Sequence, residues 1–323
     1  NPIMPFRQPF LHLIVLSLLA FTFKSSAKDI ALVNDSKEDI SPTTMSYQDA
    51  VIYGLVEGVT EFLPISSTGH LVITSELLGS GKSNSIQQQA LHAYLIVIQS
   101  GAILAVAFIY RSRVWPMFAA LFGRDDKGRK LFINLVMAFL PAAFLGVLLD
   151  DLIESYLFGL LPIAVALLAG AIFMWWAERN KKARDESPSN TEEKSIESLT
   201  IKSSVFIGFL QCFAMWPGTS RSMMTIVGGY IVGLKRTHAA EFSFLLGLVT
   251  LTAAAGYKGF TKWASMSEYL TIGPVLVGCF VAGISAGLSV FWLVGYLTRR
   301  GLGVFVFYRI ILSIVIFTLY FVD

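Results

Sequence analysis

The distribution of apolar positions divides the chain into six long hydrophobic stretches and two interrupted ones. The long stretches cover about residues 91–110, 131–149, 160–177, 239–257, 271–297 and 304–322. Each is long enough, or nearly so, to cross a bilayer as a helix of about 20 residues. The interrupted segments, 46–79 and 203–234, each hold two short apolar halves around a polar break that contains Pro64 or Pro217. Such a half is too short to span, and a proline takes a donor out of the helical ladder. The pattern therefore predicts an all-α integral membrane fold with six transmembrane helices plus two re-entrant helix hairpins.

The charges between the stretches sharpen this topology. Arg111, Arg113, Arg124, Lys127, Arg129 and Lys130 follow the first span; Arg179, Lys181, Lys182 and Arg184 follow the third. Lys235 and Arg236 follow the second interrupted segment, and Arg299 and Arg300 follow the fifth span. The alternate connections hold Lys82, then Asp150, Asp151 and Glu154, then Lys258 and Lys262. Basic residues concentrate on one side when both interrupted segments return to the side they entered. The 111–130 and 178–200 connections are then cytoplasmic, while 150–160, 258–270 and the C-terminus lie outside.

A weak internal repeat accompanies the pattern. Gly54, Glu57, Glu61, Pro64 and Ser67 line up with Gly208, Gln211, Met215, Pro217 and Ser220, with one residue of slippage at the prolines. Three spans follow each interrupted segment, so the two halves, about 45–178 and 200–323, must insert with opposite orientation. Inverted repeats of this kind place a binding site where their discontinuous helices meet near the midplane.

Composition agrees with a lipid environment: 54% of the 323 residues are hydrophobic and 15% charged, against about a quarter charged in soluble domains. The net charge of +3 gives no reason to expect nucleic acid as a partner. Cys212 and Cys279 lie in apolar stretches without zinc or redox spacing and read as buried hydrophobes. The histidines, His12, His70, His92 and His238, form no metal motif. Residues 1–44 differ from the rest. Arg7, an apolar run from Phe10 to Phe23 and the small residues Ser25, Ser26 and Ala27 follow the order of a signal peptide, and 28–44 read as a polar tether before the domain at 45–323.

The breaks concentrate the polar chemistry. The first reads Glu57-Gly-Val-Thr-Glu61-Phe-Leu-Pro-Ile-Ser66-Ser67-Thr68-Gly69-His70. Glu57 and Glu61 share one helix face, and each ionised acid at mid-bilayer costs about 2.5–3.5 kcal/mol on insertion scales. The pair must share a proton, hold a cation or face an arginine. The second break, Trp216-Pro217-Gly218-Thr219-Ser220-Arg221-Ser222-Met-Met-Thr225, supplies that arginine. Arg221 is open to two roles, a purely structural pairing with Glu57 or Glu61 and a planar clamp on an anion. Ser66, Ser67, Thr68, Ser220 and Ser222 can cap the half-helices that follow the breaks. Two helix starts aimed at one point, with Arg221 beside them, make an anion site suited to phosphate. Ser67 or Ser66 can then act as a nucleophile, with His70 or Glu61 taking its proton.

These two stretches resemble the signatures of the undecaprenyl-pyrophosphate phosphatase family of the bacitracin-resistance type, as do Ala239-Ala-Glu241-Phe-Ser-Phe-Leu-Leu246 and Tyr308-Arg309. The resemblance covers about residues 46–323. It implies a bacterial cytoplasmic-membrane enzyme, with its site open to the outer face. Such an enzyme hydrolyses a polyprenyl pyrophosphate lipid to the monophosphate, recycling the carrier for cell-wall synthesis and conferring bacitracin resistance. By position it makes Glu57 and Glu61 the paired acids, Ser67 the favoured nucleophile, with His70 or water as the alternatives, and Arg221 the phosphate clamp. Ser66, Thr68, Gly69, His70, Gly218, Ser220, Ser222 and Thr225 fall in the same motifs as supporting residues. It also implies a divalent cation, magnesium or calcium, at Glu57 and Glu61; membrane lipids surround the protein, and a homodimer is compatible with the sequence. The phosphatidic-acid phosphatase type does not fit, because the run after Arg221 lacks that class's histidine and aspartate. A carrier that flips polyprenyl phosphate, or a protein that merely sequesters it, needs the anion clamp but no hydroxyl beside a base.

Overall fold

A computed structural model of the chain describes residues 45–79, 85–123, 125–186 and 193–322. The signal-like segment 1–44 and the charges Lys82 and Arg124 lie outside the described residues. Those described form α-helices, two short 3-10 helices (Ile196–Ser198 and Phe213–Met215) and no strand; their one β-bridge joins Lys194 to Leu234.

The first interrupted segment folds as α1 (Tyr47–Thr60) and α2 (Ser67–Leu77). Next come α3 (Ser85–Ile109), the short α4 (Arg111–Leu121), α5 (Asp126–Leu157) and α6 (Leu160–Asp185). The second interrupted segment gives α7 (Ile201–Cys212) and α8 (Arg221–Ile231), followed by α9 (Arg236–Tyr269), α10 (Ile272–Leu297) and α11 (Gly303–Val322). Six of these, α3, α5, α6, α9, α10 and α11, are long and apolar enough to cross a membrane. All six coincide with the expected spans, and the protein is a multi-pass membrane protein.

Two connections expected as loops are helical. α5 continues through Asp150 and Asp151 to Leu157, and α9 continues to Tyr269. Hydropathy marks where a helix leaves hydrocarbon, whereas the backbone ladder continues until a cap or a breaker stops it. The 111–130 connection likewise contains α4.

The two interrupted segments share their local design. Ser46 caps α1 by accepting the amide of Asp49, and Thr200 caps α7 by accepting that of Ser203. Ser66 and Ser220 cap α2 and α8, two helices of 11 residues each. Gly79 and Gly233 follow them, both in the left-handed region. All these pairs stand at one fixed separation along the chain. The structure thus matches Ser220 with Ser66 and Arg221 with Ser67, one residue away from the sequence alignment; the slip is confined to the prolines. That difference arises because the repeated feature is the capping turn, not the proline preceding it.

Packing pairs the entry helix of each interrupted segment with the other half. α1 lies chiefly against α10, and α7 against α5. Gly54 and Gly58 of α1 meet the backbone of Gly278 and Ala282, so closely that a β-carbon at either glycine would collide. Gly208 of α7 meets Ala138 of α5 in the same manner. In hydrocarbon, such small-residue faces let helices gain close van der Waals contact. α3 packs on α9 and α6 on α11. The main core lies around α8, whose residues from Ser222 to Tyr230 are buried, with Phe62, Leu135, Met174, Phe242, Leu245 and Val290.

At one end of the bundle, ion pairs fasten the linker between the halves. Lys181, 1% exposed, bonds Asp185 and Glu193. Arg236 joins Glu178 and Asp185, and Arg113 joins Glu197 and Glu241.

Candidate active site

Both breaks turn the chain through a strained residue. Ser66 (φ 73°) and Ser220 (φ 76°) are the non-glycine residues with positive φ among the described residues. An L-residue rarely adopts this region, so the surrounding structure has to hold it there. In each, the serine hydroxyl accepts an amide of the following helix, Gly69 in α2 and Met223 in α8, both at 3.3 Å. The next residue, Ser67 or Arg221, opens the helix. The first amides of a helix have no partner within it and carry its positive dipole end.

Three of the expected site residues meet. Ser67 Oγ donates to Glu61 Oε2 at 2.6 Å, and Arg221 Nη2 donates to Glu61 Oε1 at 2.9 Å. Arg221 Nη1 donates to the Ser243 carbonyl oxygen at 3.0 Å, and the guanidinium stands 5.4 Å from the centre of the Phe62 ring. The side chains of Arg221 and Glu61 are 11% and 6% exposed. A pair this buried is held by geometry, and losing either partner strands the other's charge. Among the buried polar atoms without a protein partner are Glu57 Oε1 and Arg221 Nε. Such orphans in a polar cluster mark where a ligand, ion or water belongs. Glu57 lies one turn before Glu61, with Gln99 of α3 facing it.

The other expected residues have different partners. His70 does not reach Ser67: its Nδ1 bonds the Ser66 carbonyl oxygen at 2.7 Å and its Nε2 meets the Tyr308 hydroxyl at 2.5 Å. Gly69 packs against Ile163 and Leu167 of α6. Thr68 is half-buried in the first turn of α2. Ser222 Oγ donates to the Leu63 carbonyl oxygen at 2.7 Å, tying the second break to the first. Ser220 Oγ lies 3.1 Å from Ser222 Oγ. Thr225 Oγ1 lies 2.9 Å from the Arg221 carbonyl oxygen and 2.6 Å from Ser243 Oγ. These hydroxyls fix backbone and do not face Glu61. Gly218 (φ 96°) has no room for a side chain, since a β-carbon there would meet the Ile163 carbonyl.

Ser243, Tyr308 and Arg309 lie in stretches that carry the family resemblance, but sequence reasoning assigned them no role at the site. Arg309, fully buried, donates to the carbonyl oxygens of Pro64 (3.5 Å), Gly218 (3.0 Å), Ala166 (3.3 Å) and Leu167 (3.3 Å). One guanidinium thus joins both breaks to α6. The signal was present, as an arginine inside an apolar stretch has a polar task by default.

The described residues define a multi-pass helical membrane protein with a glutamate–serine–arginine cluster at two helix breaks. A family model described as "Bacitracin resistance protein BacA" matches residues 50–315, and the chain belongs to that family. It is 42% identical over 267 residues to undecaprenyl-diphosphatase 2 of Rhodospirillum rubrum, covering 83% of this chain and 92% of the relative. Undecaprenyl-diphosphatase 3 of Acinetobacter baylyi is 41% identical over 83% of this chain and 95% of its own length. For an undecaprenyl-diphosphatase of Pseudomonas putida the values are 39%, 83% and 91%.

Proposed function

We propose that the protein hydrolyses undecaprenyl pyrophosphate to undecaprenyl phosphate and inorganic phosphate, with the chemistry at the Glu61–Ser67–Arg221 cluster. The observation that carries the site is the pair of bonds on one carboxylate, 2.6 Å to the Ser67 hydroxyl and 2.9 Å to Arg221. The relatives named above as undecaprenyl-diphosphatases support the reaction and its substrate.

In this reading Arg221 turns its fork from Glu61 to the terminal phosphoryl group, with the spare Nε as a further donor. Glu61 takes the Ser67 proton as Oγ bonds to the terminal phosphorus, and the bond from that phosphorus to the bridging oxygen breaks. Undecaprenyl phosphate leaves with the bond's electron pair. Glu61 passes its proton to the departing phosphate oxygen; water then attacks phosphoserine, giving a proton to Glu61, the Oγ–phosphorus bond breaks, and Ser67 Oγ regains that proton from Glu61. Arg221 and the amides opening α2 stabilise the charge on the transferring group. Ser66 and Ser220 hold the turns, Ser222 and Thr225 the backbone between them.

The residues also fit a divalent cation, magnesium or calcium. Glu57, with its unpartnered buried oxygen, would hold it beside Glu61, since such hard cations take carboxylate and phosphate oxygens. When bound it would neutralise pyrophosphate charge.

The architecture reads as two inverted repeats, about 45–178 and 200–323, each opening on a re-entrant hairpin. Exchanging the halves maps the α1–α10 contact onto α7–α5 and leaves α3–α9 and α6–α11 as they are, which supports this reading. The loop charges favour a bacterial inner-membrane orientation with the 111–130 and 178–200 connections cytoplasmic. A cysteine at position 155 should label from outside intact cells and one at 190 should not; the reverse pattern would invert the topology.

Purified protein should release phosphate from farnesyl pyrophosphate in detergent. A folded protein that binds the lipid and releases none is a carrier or a sequestering protein instead.

A further inference from the structure

The last helix sends a second side chain to the first break. Tyr308 precedes Arg309, and its ring stacks on that of His70, with an interplanar angle of 7° and centroids 5.5 Å apart. A carbonyl oxygen only accepts, so the 2.7 Å contact between His70 Nδ1 and the Ser66 oxygen places a hydrogen on Nδ1. In the neutral ring, Nε2 is then an acceptor, and the Tyr308 hydroxyl at 2.5 Å donates to it. The Ser66 oxygen also receives the His70 backbone amide at 3.4 Å. It belongs to the strained residue that precedes Ser67.

We propose that Tyr308 is a positioning residue: through His70 it fixes the Ser66 carbonyl, and so holds the strained turn that aims Ser67 at Glu61. Strain of this kind persists only when neighbours over-determine it. Here they do so in series, hydroxyl to imidazole to carbonyl to turn: the Ser66 carbonyl sets the tautomer of His70, and a side chain of the last helix satisfies its other nitrogen. The corresponding Ser220 turn has Met224 where the first has His70; it is braced by Ser222 and by Arg309 on Gly218. Tyr308 therefore serves the nucleophile's turn and not the arginine's.

This role rests on the phosphatase reading, so its test has one arm that needs no turnover. In full-length protein labelled with 15N-histidine, His70 should give the signature of a ring protonated on Nδ1, assigned by its loss in His70→Phe. Tyr308→Phe keeps the stacked ring but removes the donor, and should shift the Nε2 resonance toward that of an acceptor nitrogen without a hydrogen bond. A His70 spectrum unchanged by Tyr308→Phe overturns the proposal. Should that variant not fold, global 3-fluorotyrosine labelling strengthens the donor without changing the ring, and an unmoved Nε2 resonance counts equally against it. In the kinetic arm, Tyr308→Phe should lower kcat roughly tenfold with KM within about twofold, the mark of an effect confined to the chemical step. Tyr308→Phe combined with His70→Phe should be no slower than His70→Phe alone, because the tyrosine acts only through the histidine. Independent, multiplying losses would mean a merely structural tyrosine. Absence of phosphate release by the wild type would sink the phosphatase reading, while the spectra would still decide whether Tyr308 holds His70.

Discussion

The two helix breaks share a backbone and divide the chemistry. Each has a capped entry helix, a left-handed serine and an 11-residue exit helix ended at a left-handed glycine. Apart from the turn serines Ser66 and Ser220, their side chains differ at the matched positions nearest the cluster. Glu57, Glu61, Ser67 and His70 in the first stand where the second has Gln211, Met215, Arg221 and Met224. The acids and hydroxyl come from one copy and the cation from the other. Burial differs as well: α8 is enclosed from Ser222 to Tyr230, while α2 buries only Gly69 and Thr74. The same capping turn thus opens two helices, and the side chains around it differ between the two breaks. Arg221 opens the core-embedded helix, and Ser67 the more accessible one.

The largest way to break this division is at the cation. Arg221→Lys keeps the charge but loses the planar fork and the Phe62 stacking, and phosphate release should fall by roughly a hundredfold. Near-wild-type release from a folded lysine variant would leave Arg221 a structural partner of Glu61 only. The shared backbone gives the next test. Ser66→Ala and Ser220→Ala each remove a cap in the same left-handed setting, and each should lower stability by about 1 kcal/mol. A large difference between them, read from detergent-phase thermal midpoints, would show that the two turns are not equivalent.

The smallest expected effect lies outside the repeat, where Arg113 ties Glu197 of the linker to Glu241. Partial burial pushes the Glu197 carboxyl up, but its own backbone amide, Arg113 and Ser195 outweigh that and hold it down at about 2. Its stabilising contribution is complete above the usual carboxylate value of 4.5 and is lost as pH falls toward about 2. Because the side chain is half exposed, Glu197→Gln should cost less than about 1 kcal/mol at neutral pH. Wild type and variant should converge as pH drops through that window; a gap that widens on acidification would contradict the ion pair.

Much of this was legible beforehand. Six apolar runs fixed six spanning helices, because apolar length against bilayer thickness is a one-dimensional test. Glu61, Ser67 and Arg221 could be picked out because charged or hydroxyl residues beside a proline in an apolar run have few other uses. The helical extensions beyond 149 and 257 were not visible, since polar residues carry no hydropathy signal for or against a helix. Nor was the separation of His70 from Ser67. A spacing of three along a helix brings two side chains to neighbouring positions but does not say which way a ring turns, and a tyrosine 238 positions away decides it. Tyr308-Arg309 was noticed only as part of the resemblance, and the task of Arg309 escaped for the same reason: its four acceptors are backbone carbonyls, which no residue type announces.

The central claim, that a serine of the first segment transfers a phosphate held by the arginine of the second, meets its most direct test in one rapid-quench experiment. Polyprenyl pyrophosphate labelled in its terminal phosphate is mixed with excess enzyme and quenched at early times. The account predicts acid-stable label on the peptide carrying Ser67, absent from a folded Ser67→Ala variant that still binds the lipid and turns over at least about a thousandfold more slowly. Label on His70, no protein-bound label alongside rapid release, or substantial turnover by Ser67→Ala would contradict it.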